Sequence, residues 1–83
     1  MKTYMLIEYY KPGCCEAIHD RFNQRGRLLP EGLHYLESWV SREKNVCFQL
    51  MQTDNAALFP VWFRRWDDLI EFTVYPINRR ESP

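Results

Sequence analysis

Excess charge of either sign is missing. Eleven Lys and Arg balance eleven Asp and Glu, for a formal net charge of zero. The chain therefore presents no electrostatic footprint for nucleic acid or for an acidic membrane surface. No apolar run approaches the ~20 residues of a membrane span, and no signal-peptide pattern precedes the first strand-like stretch. Cysteine is sparse and odd in number: Cys14 and Cys15 are adjacent, and Cys47 stands alone. No CxxC pair is present, so a reduced, cytosolic protein without metal is expected. Cys15 and His19 share a helical face, but structural zinc needs four ligands and no second pair accompanies them. There is no Gly-rich phosphate loop, Ser/His/Asp set or HExxH pattern. No catalytic constellation is recognisable, and no cofactor is expected.

What is there is aromatic. Phe, Trp and Tyr make up 16% of 83 residues. That length is one domain, 1–83, with a modest capacity to bury its own surface. So many aromatics in so small a domain make burial in an oligomer plausible.

The chain is organised around the stretch Leu33–Thr53. Two runs rich in aromatic and β-branched residues, Leu33–Val40 and Val46–Thr53, flank the polar loop Ser41–Asn45, which is a hairpin signal. Side chains alternate across a strand. In the first arm Tyr35, Glu37 and Trp39 share one face, and His34, Leu36, Ser38 and Val40 the other. In the second, Val46, Phe48 and Leu50 oppose Cys47, Gln49 and Met51.

Upstream, Thr3–Tyr10 alternates as a strand, with Tyr4, Leu6 and Glu8 on one face and Met5, Ile7 and Tyr9 on the other. Ile7 is expected to face the core and Glu8 to face away from it. Lys11-Pro12-Gly13 ends the strand. Cys14, Ile18 and Phe22 recur every four residues, which predicts a helix over Cys14–Arg25, closed by Gly26. Downstream, Leu58, Trp62 and Trp66 form an apolar stripe with Phe59, Phe63 and Leu69, predicting a helix over Asp54–Asp68 capped by Asp54. Pro60 lacks a backbone N–H, so that helix either kinks there or starts near it. Ile70–Ile77 is a last strand, with Ile70, Phe72 and Val74 opposite Glu71, Thr73 and Tyr75. Residues 78–83 form a polar tail expected to fray.

The order βαββαβ predicts an α+β, ferredoxin-like fold: a four-stranded antiparallel sheet with two helices on one face. Alternation assigns Tyr4, Leu6, Glu8, Tyr35, Glu37, Trp39, Cys47, Gln49, Met51, Glu71, Thr73 and Tyr75 to the unhelixed face. That face is too apolar for open solvent. Three carboxylates on it argue against a dry interface. A homodimer packed through this face, enclosing a partly wet cavity, satisfies both facts.

Tyr9–Gly13, Gly26–Leu33 (Gly-Arg-Leu-Leu-Pro-Glu-Gly-Leu), Cys47–Met51 and Trp62–Leu69 (Trp-Phe-Arg-Arg-Trp-Asp-Asp-Leu) are similar to the small bacterial family known as domain of unknown function 3303. The resemblance runs from about Lys2 to Pro76. It implies a dimeric α/β-barrel type of fold and no defined reaction. Pro60 departs from the acidic residue this family pattern implies there, which bears on where the second helix starts.

Glu8, Glu37, Trp39 and Gln49 are the leading pocket group, with Tyr35, Cys47 and Met51 beside them; a water-filled polar dimer interface is the competing role. Arg27 and Glu31 are read as a rim pair at the cavity mouth, or as a simple surface ion pair. Clustered carboxylates repel, so at least one is expected to titrate above an ordinary glutamate. Trp62 and Trp66 read as core. His34 as a base and Cys47 as a nucleophile are the weaker readings, because Cys47 lacks an activating cation. The functional expectation is a dimeric binder of a small molecule, not recognisably an enzyme. The alternatives are a structural or interaction domain without a ligand, and a cofactor-independent oxygenase or isomerase of the kind some similar α/β-barrel families contain.

Overall fold

The computed structural model describes residues 1–78. Strand β1 (Lys2–Tyr10) is followed by helix α1 (Cys15–Arg25), strands β2 (Leu33–Val40) and β3 (Val46–Thr53), helix α2 (Leu58–Phe63) and strand β4 (Ile70–Ile77). The four strands form one sheet in the order β2-β3-β1-β4, every neighbour antiparallel. This is the ferredoxin-like arrangement, with both helices on the same face. Residues 79–83 of the expected frayed tail lie outside the described residues.

The register corrects the predicted faces of β1 and β3. Tyr4, Leu6 and Glu8 point under the helices: all three are buried, and the Tyr4 ring meets Phe59 of α2 edge-on at 4.9 Å between centroids. Their partners on β3, Met51, Gln49 and Cys47, share that covered face. Ile70, Phe72 and Val74 of β4 lie there as predicted, with Phe72 stacked on Phe63 at 4.2 Å. The open face instead carries Met5, Ile7, Tyr9, Val46, Phe48 and Leu50. The prediction failed because Ile7, Phe48 and Leu50 are more apolar than Glu8 and Gln49, so periodicity alone pointed the wrong way.

Strand β2 follows neither predicted face throughout. A β-bulge between Tyr35 and Glu37 inserts Leu36 as an extra residue. A bulge places two residues opposite one, so the alternation slips by one position. Tyr35 therefore faces the helices, while Glu37, opposite Leu50, and Trp39, opposite Phe48, face out.

Helix α1 starts one residue later than expected. Gly26 closes it at φ +67°, where its N–H donates to Phe22 O at 2.8 Å, the backbone region glycine tolerates best. Helix α2 is far shorter than predicted. Asp54 does not cap it; Asn55 Oδ1 instead accepts the Ala57 N–H at 3.1 Å, and turns follow on either side of the helix. Pro60 sits in the first turn, where a backbone N–H has no helical partner to lose. Trp62 and Trp66 are buried, as their spacing predicts.

Candidate functional site

The site is built on the centre of the covered face. Leu6 pairs with Gln49 and Glu8 with Cys47, which makes Glu8 and Gln49 diagonal neighbours on one side of the sheet. Gln49 Nε2 donates to Glu8 Oε2 at 2.6 Å. Both side chains are deeply buried, Glu8 at 5% exposure and Gln49 at 6%. With Tyr10, Ser38 and Cys47 they border a cavity of about 130 Å³. Ile18 and Phe22 of α1, together with Trp62 and Trp66, form its apolar wall.

Arg27 completes the lining, and several contacts fix it there. The indole N–H groups of Trp62 and Trp66 both donate to the Arg27 carbonyl, at 2.8 and 2.9 Å. Arg65 Nη1 donates to the next carbonyl, that of Leu28, at 2.7 Å. Leu28 holds φ +59°, a left-handed conformation uncommon for a branched side chain. Beyond the backbone, the guanidinium lies 3.5 Å from the Tyr35 ring centroid and 5.2 Å from that of Phe22, within cation–π range. Tyr35 is held in turn by a 2.8 Å hydrogen bond between its hydroxyl and Ser38 Oγ. The bulge makes this possible, because residues three apart otherwise point to opposite faces.

Two buried atoms of this lining have no hydrogen-bond partner among the described residues: Arg27 Nε and Gln49 Oε1. An unpaired buried polar atom costs ~1–3 kcal/mol, and such groups in a folded protein call for a physical reason. One is a donor and the other an acceptor.

The protonation states are set mainly by burial. Loss of hydration raises the Glu8 carboxyl from 4.5 to about 7; the Gln49 hydrogen bond and the Arg27 charge oppose that rise without cancelling it. Burial also pushes the Cys47 thiol up to about 11, assisted by the Glu8 charge. Tyr10 is raised as well, by burial first and then by the Cys47 and Glu8 charges. At neutral pH Cys47 and Tyr10 are therefore uncharged, and Cys47 is a poor nucleophile. Of these three groups, Glu8 alone changes charge near neutrality.

The expected pocket group divides. Glu8, Cys47 and Gln49 come together, beneath the helices instead of on the open face. Tyr35 is also on the covered side, stacked against Arg27, and Met51 is fully buried in the core. Glu37 and Trp39 lie on the open face, exposed, with the thickness of the sheet between them and Glu8. A single cavity holding Glu8, Glu37, Trp39 and Gln49 is therefore ruled out by the bulge and by the true register. The expected raised carboxylate is found at Glu8, but burial is its principal cause, not repulsion from Glu37. Arg27 is in the cavity wall, whereas Glu31 is exposed and outside the lining. Ion pairs among the described residues are Met1–Asp54 and Arg21–Asp68, so Arg27 and Glu31 do not form the surface pair considered above. His34 is exposed on β2.

Tyr10, Phe22 and Ser38 belong to the site and were not singled out by sequence. Trp62 and Trp66 were, but only as core. One signal was available: a buried indole N–H needs an acceptor, and two tryptophans four residues apart on one helical face can share one. Among the described residues no three His, Cys, Asp or Glu side chains converge as a metal ion would require.

The fold has a counterpart of known structure. A protein from Deinococcus radiodurans, provisionally called an antibiotic biosynthesis monooxygenase, superposes with a TM-score of 0.51 at 11% identity, covering 100% of this chain and 98% of that one. At that identity the likeness shows the fold alone. No curated protein matches the chain in sequence. The profile of one family does match, over residues 2–81, and by that match the chain belongs to the family described as Domain of unknown function (DUF3303).

Proposed function

We propose that this protein binds a small molecule in the cavity between its helices and its sheet, with Glu8 and Gln49 as the polar anchor. The observation that carries this reading is the pairing of a deeply buried carboxyl and amide with a cavity of about 130 Å³ walled largely by aromatic and aliphatic side chains. Ligand sites combine an apolar enclosure with a few convergent polar groups. A buried carboxyl without a cationic hydrogen-bond partner is costly to keep for stability alone.

The open face takes a second copy of the chain in this reading. Tyr9, Trp39, Phe48 and Tyr75 are exposed on it beside the half-buried Met5, Ile7 and Leu50. A contiguous apolar patch of that kind is unusual on a monomer, and a self-complementary sheet face suits a two-fold dimer. Binding and dimerisation then occupy opposite sides of the sheet.

Proton-transfer catalysis is the second reading, and Glu8 specifically favours it. A carboxyl titrating at about 7 is placed to accept and return a proton at neutral pH. That step is common to oxygenase and isomerase chemistry that needs no cofactor.

Amide chemical shifts of ¹⁵N-labelled protein against a mixture of small aromatic and aliphatic compounds test the site. Shifts at Glu8, Gln49 and Cys47, with movement of the Trp62 and Trp66 indole signals, are expected. Shifts confined to Ile7, Phe48 and Leu50 would place any ligand on the open face and refute the cavity reading.

A further inference from the structure

We propose that the cavity selects an uncharged, single-ring molecule carrying a hydroxyl, the phenol class, over apolar rings and over carboxylates. The inference rests on the cavity reading above and deepens it. Size, charge and hydrogen-bonding capacity each narrow the ligand.

Size comes first. An apolar cavity of roughly 150 Å³ accepts one benzene ring, and this one measures about 130 Å³. That volume matches a single six-membered ring. The wall chemistry suits a flat ring, because Phe22, Trp62 and Trp66 all border the space and aromatic pairs gain beyond simple burial.

Charge comes second. The lining holds one carboxyl, Glu8, and one guanidinium, Arg27. A carboxylate ligand would give up hydration and, once Glu8 is ionised, meet a second negative charge that offsets the attraction of Arg27. An ammonium ligand would meet Arg27 in the same way. A neutral ligand leaves the balance undisturbed.

Hydrogen bonding decides between neutral rings. Gln49 Oε1 is a buried acceptor without a partner, and Arg27 Nε is a buried donor without one. While Glu8 is ionised, Gln49 cannot resolve this by turning its amide over. Its Nε2 already donates to Glu8 at 2.6 Å, and the exchange would set an amide oxygen against an ionised carboxylate. A ligand hydroxyl brought beside either atom supplies its complement, since it donates one hydrogen bond and accepts others. An apolar ring of the same size supplies neither and leaves both groups unpaired.

Calorimetric titration of the full chain with phenol, toluene and benzoate tests the assignment. Phenol and toluene have nearly the same size and differ in the hydroxyl. Phenol is expected to bind at least about ten-fold more tightly than toluene, the scale of leaving a buried polar group unpaired, and benzoate to bind more weakly than phenol. Gln49→Leu removes the orphan acceptor and is expected to bring phenol and toluene within about three-fold of each other. If that variant does not fold, Glu8→Gln serves instead, since its side-chain N–H can pair with Gln49 Oε1, and it is expected to narrow the same preference. Toluene binding as tightly as phenol, benzoate binding more tightly, or a preference unmoved by either variant would overturn the phenol assignment. If all three compounds fail while another compound class shifts the Glu8 and Gln49 amides, the assignment falls and the cavity reading stands. If nothing shifts those amides, both fall.

Discussion

The two faces of the sheet carry similar numbers of large apolar side chains but different polar ones. Under the helices lie Tyr4, Leu6, Met51, Ile70 and Phe72, together with a buried carboxyl and amide. On the other side lie Ile7, Trp39, Phe48, Leu50 and Tyr75, with Glu37 and Glu71 exposed among them. Polarity by itself therefore does not tell the covered face from the open one. What distinguishes them is whether the polar groups have water. Glu8 has almost none, and its proton affinity rises accordingly. In the proposed reading, chemistry tuned by burial belongs to the covered face and association to the open one.

The sharpest contrast between the faces is expected in stability. Trp62 is 1% exposed and spans the gap between helix and sheet. Trp62→Ala should cost ~3–5 kcal/mol in urea unfolding and release the Arg27 carbonyl it holds. A loss below ~1 kcal/mol would mean that α2 is not packed against β1 and β4 as described.

Glu8 gives the next largest effect, and its sign is opposite to that of a paired carboxylate. Its folded value is raised from 4.5 to about 7, so the folded state binds more protons between those limits. The stability that Glu8 contributes is then fully present below pH 4.5, falls as pH rises towards 7, and is flat beyond. Glu8→Gln should remove that slope and stabilise the protein at pH 8 by on the order of 3 kcal/mol. Strong destabilisation by the same change at pH 8 would contradict it and make the carboxylate a structural partner.

Phe48→Asp addresses the open face. It should weaken self-association by at least about 30-fold, the scale of losing a central interface side chain, while the circular dichroism spectrum stays unchanged. Light scattering that shows monomer for the unaltered chain at micromolar concentration would remove the dimer from the account.

The smallest effect is expected at the surface. Arg21 makes two hydrogen bonds to the Asp68 carboxylate, at 2.6 and 2.8 Å, at the surface of the fold. Exposed ion pairs are worth ~0–1 kcal/mol, so Asp68→Asn should change stability by less than ~1 kcal/mol. A larger loss would show that this pair, and not the apolar wall, holds α1 over the sheet.

These contrasts explain what was legible in the sequence. Element order and strand bounds followed from alternation and turn residues, and β4 was oriented correctly because Glu71 and Thr73 mark one side. Strands β1 and β3 were inverted because Ile7, Phe48 and Leu50 suit a partner surface as well as a core, while Glu8 and Gln49 look like surface residues until their cavity is seen. The bulge at Leu36 has no compositional signature, so Tyr35 was assigned the face of Glu37 and Trp39. The predicted helix Asp54–Asp68 was overlong because its apolar stripe continues through turns on both sides of Leu58–Phe63. Arg27 was found at the site by its place on the connector, but its stacking against Tyr35 depends on the bulge.

The direct test of the buried site is the titration of the glutamate side-chain carboxyls, followed by ¹³C resonance on the unaltered protein and on Glu8→Gln. One glutamate should titrate with a midpoint near 7 and be missing from the spectrum of the variant. If every glutamate in the unaltered protein titrates in the ordinary range near 4.3, Glu8 is in water, and the enclosed polar anchor that the proposed function requires does not exist.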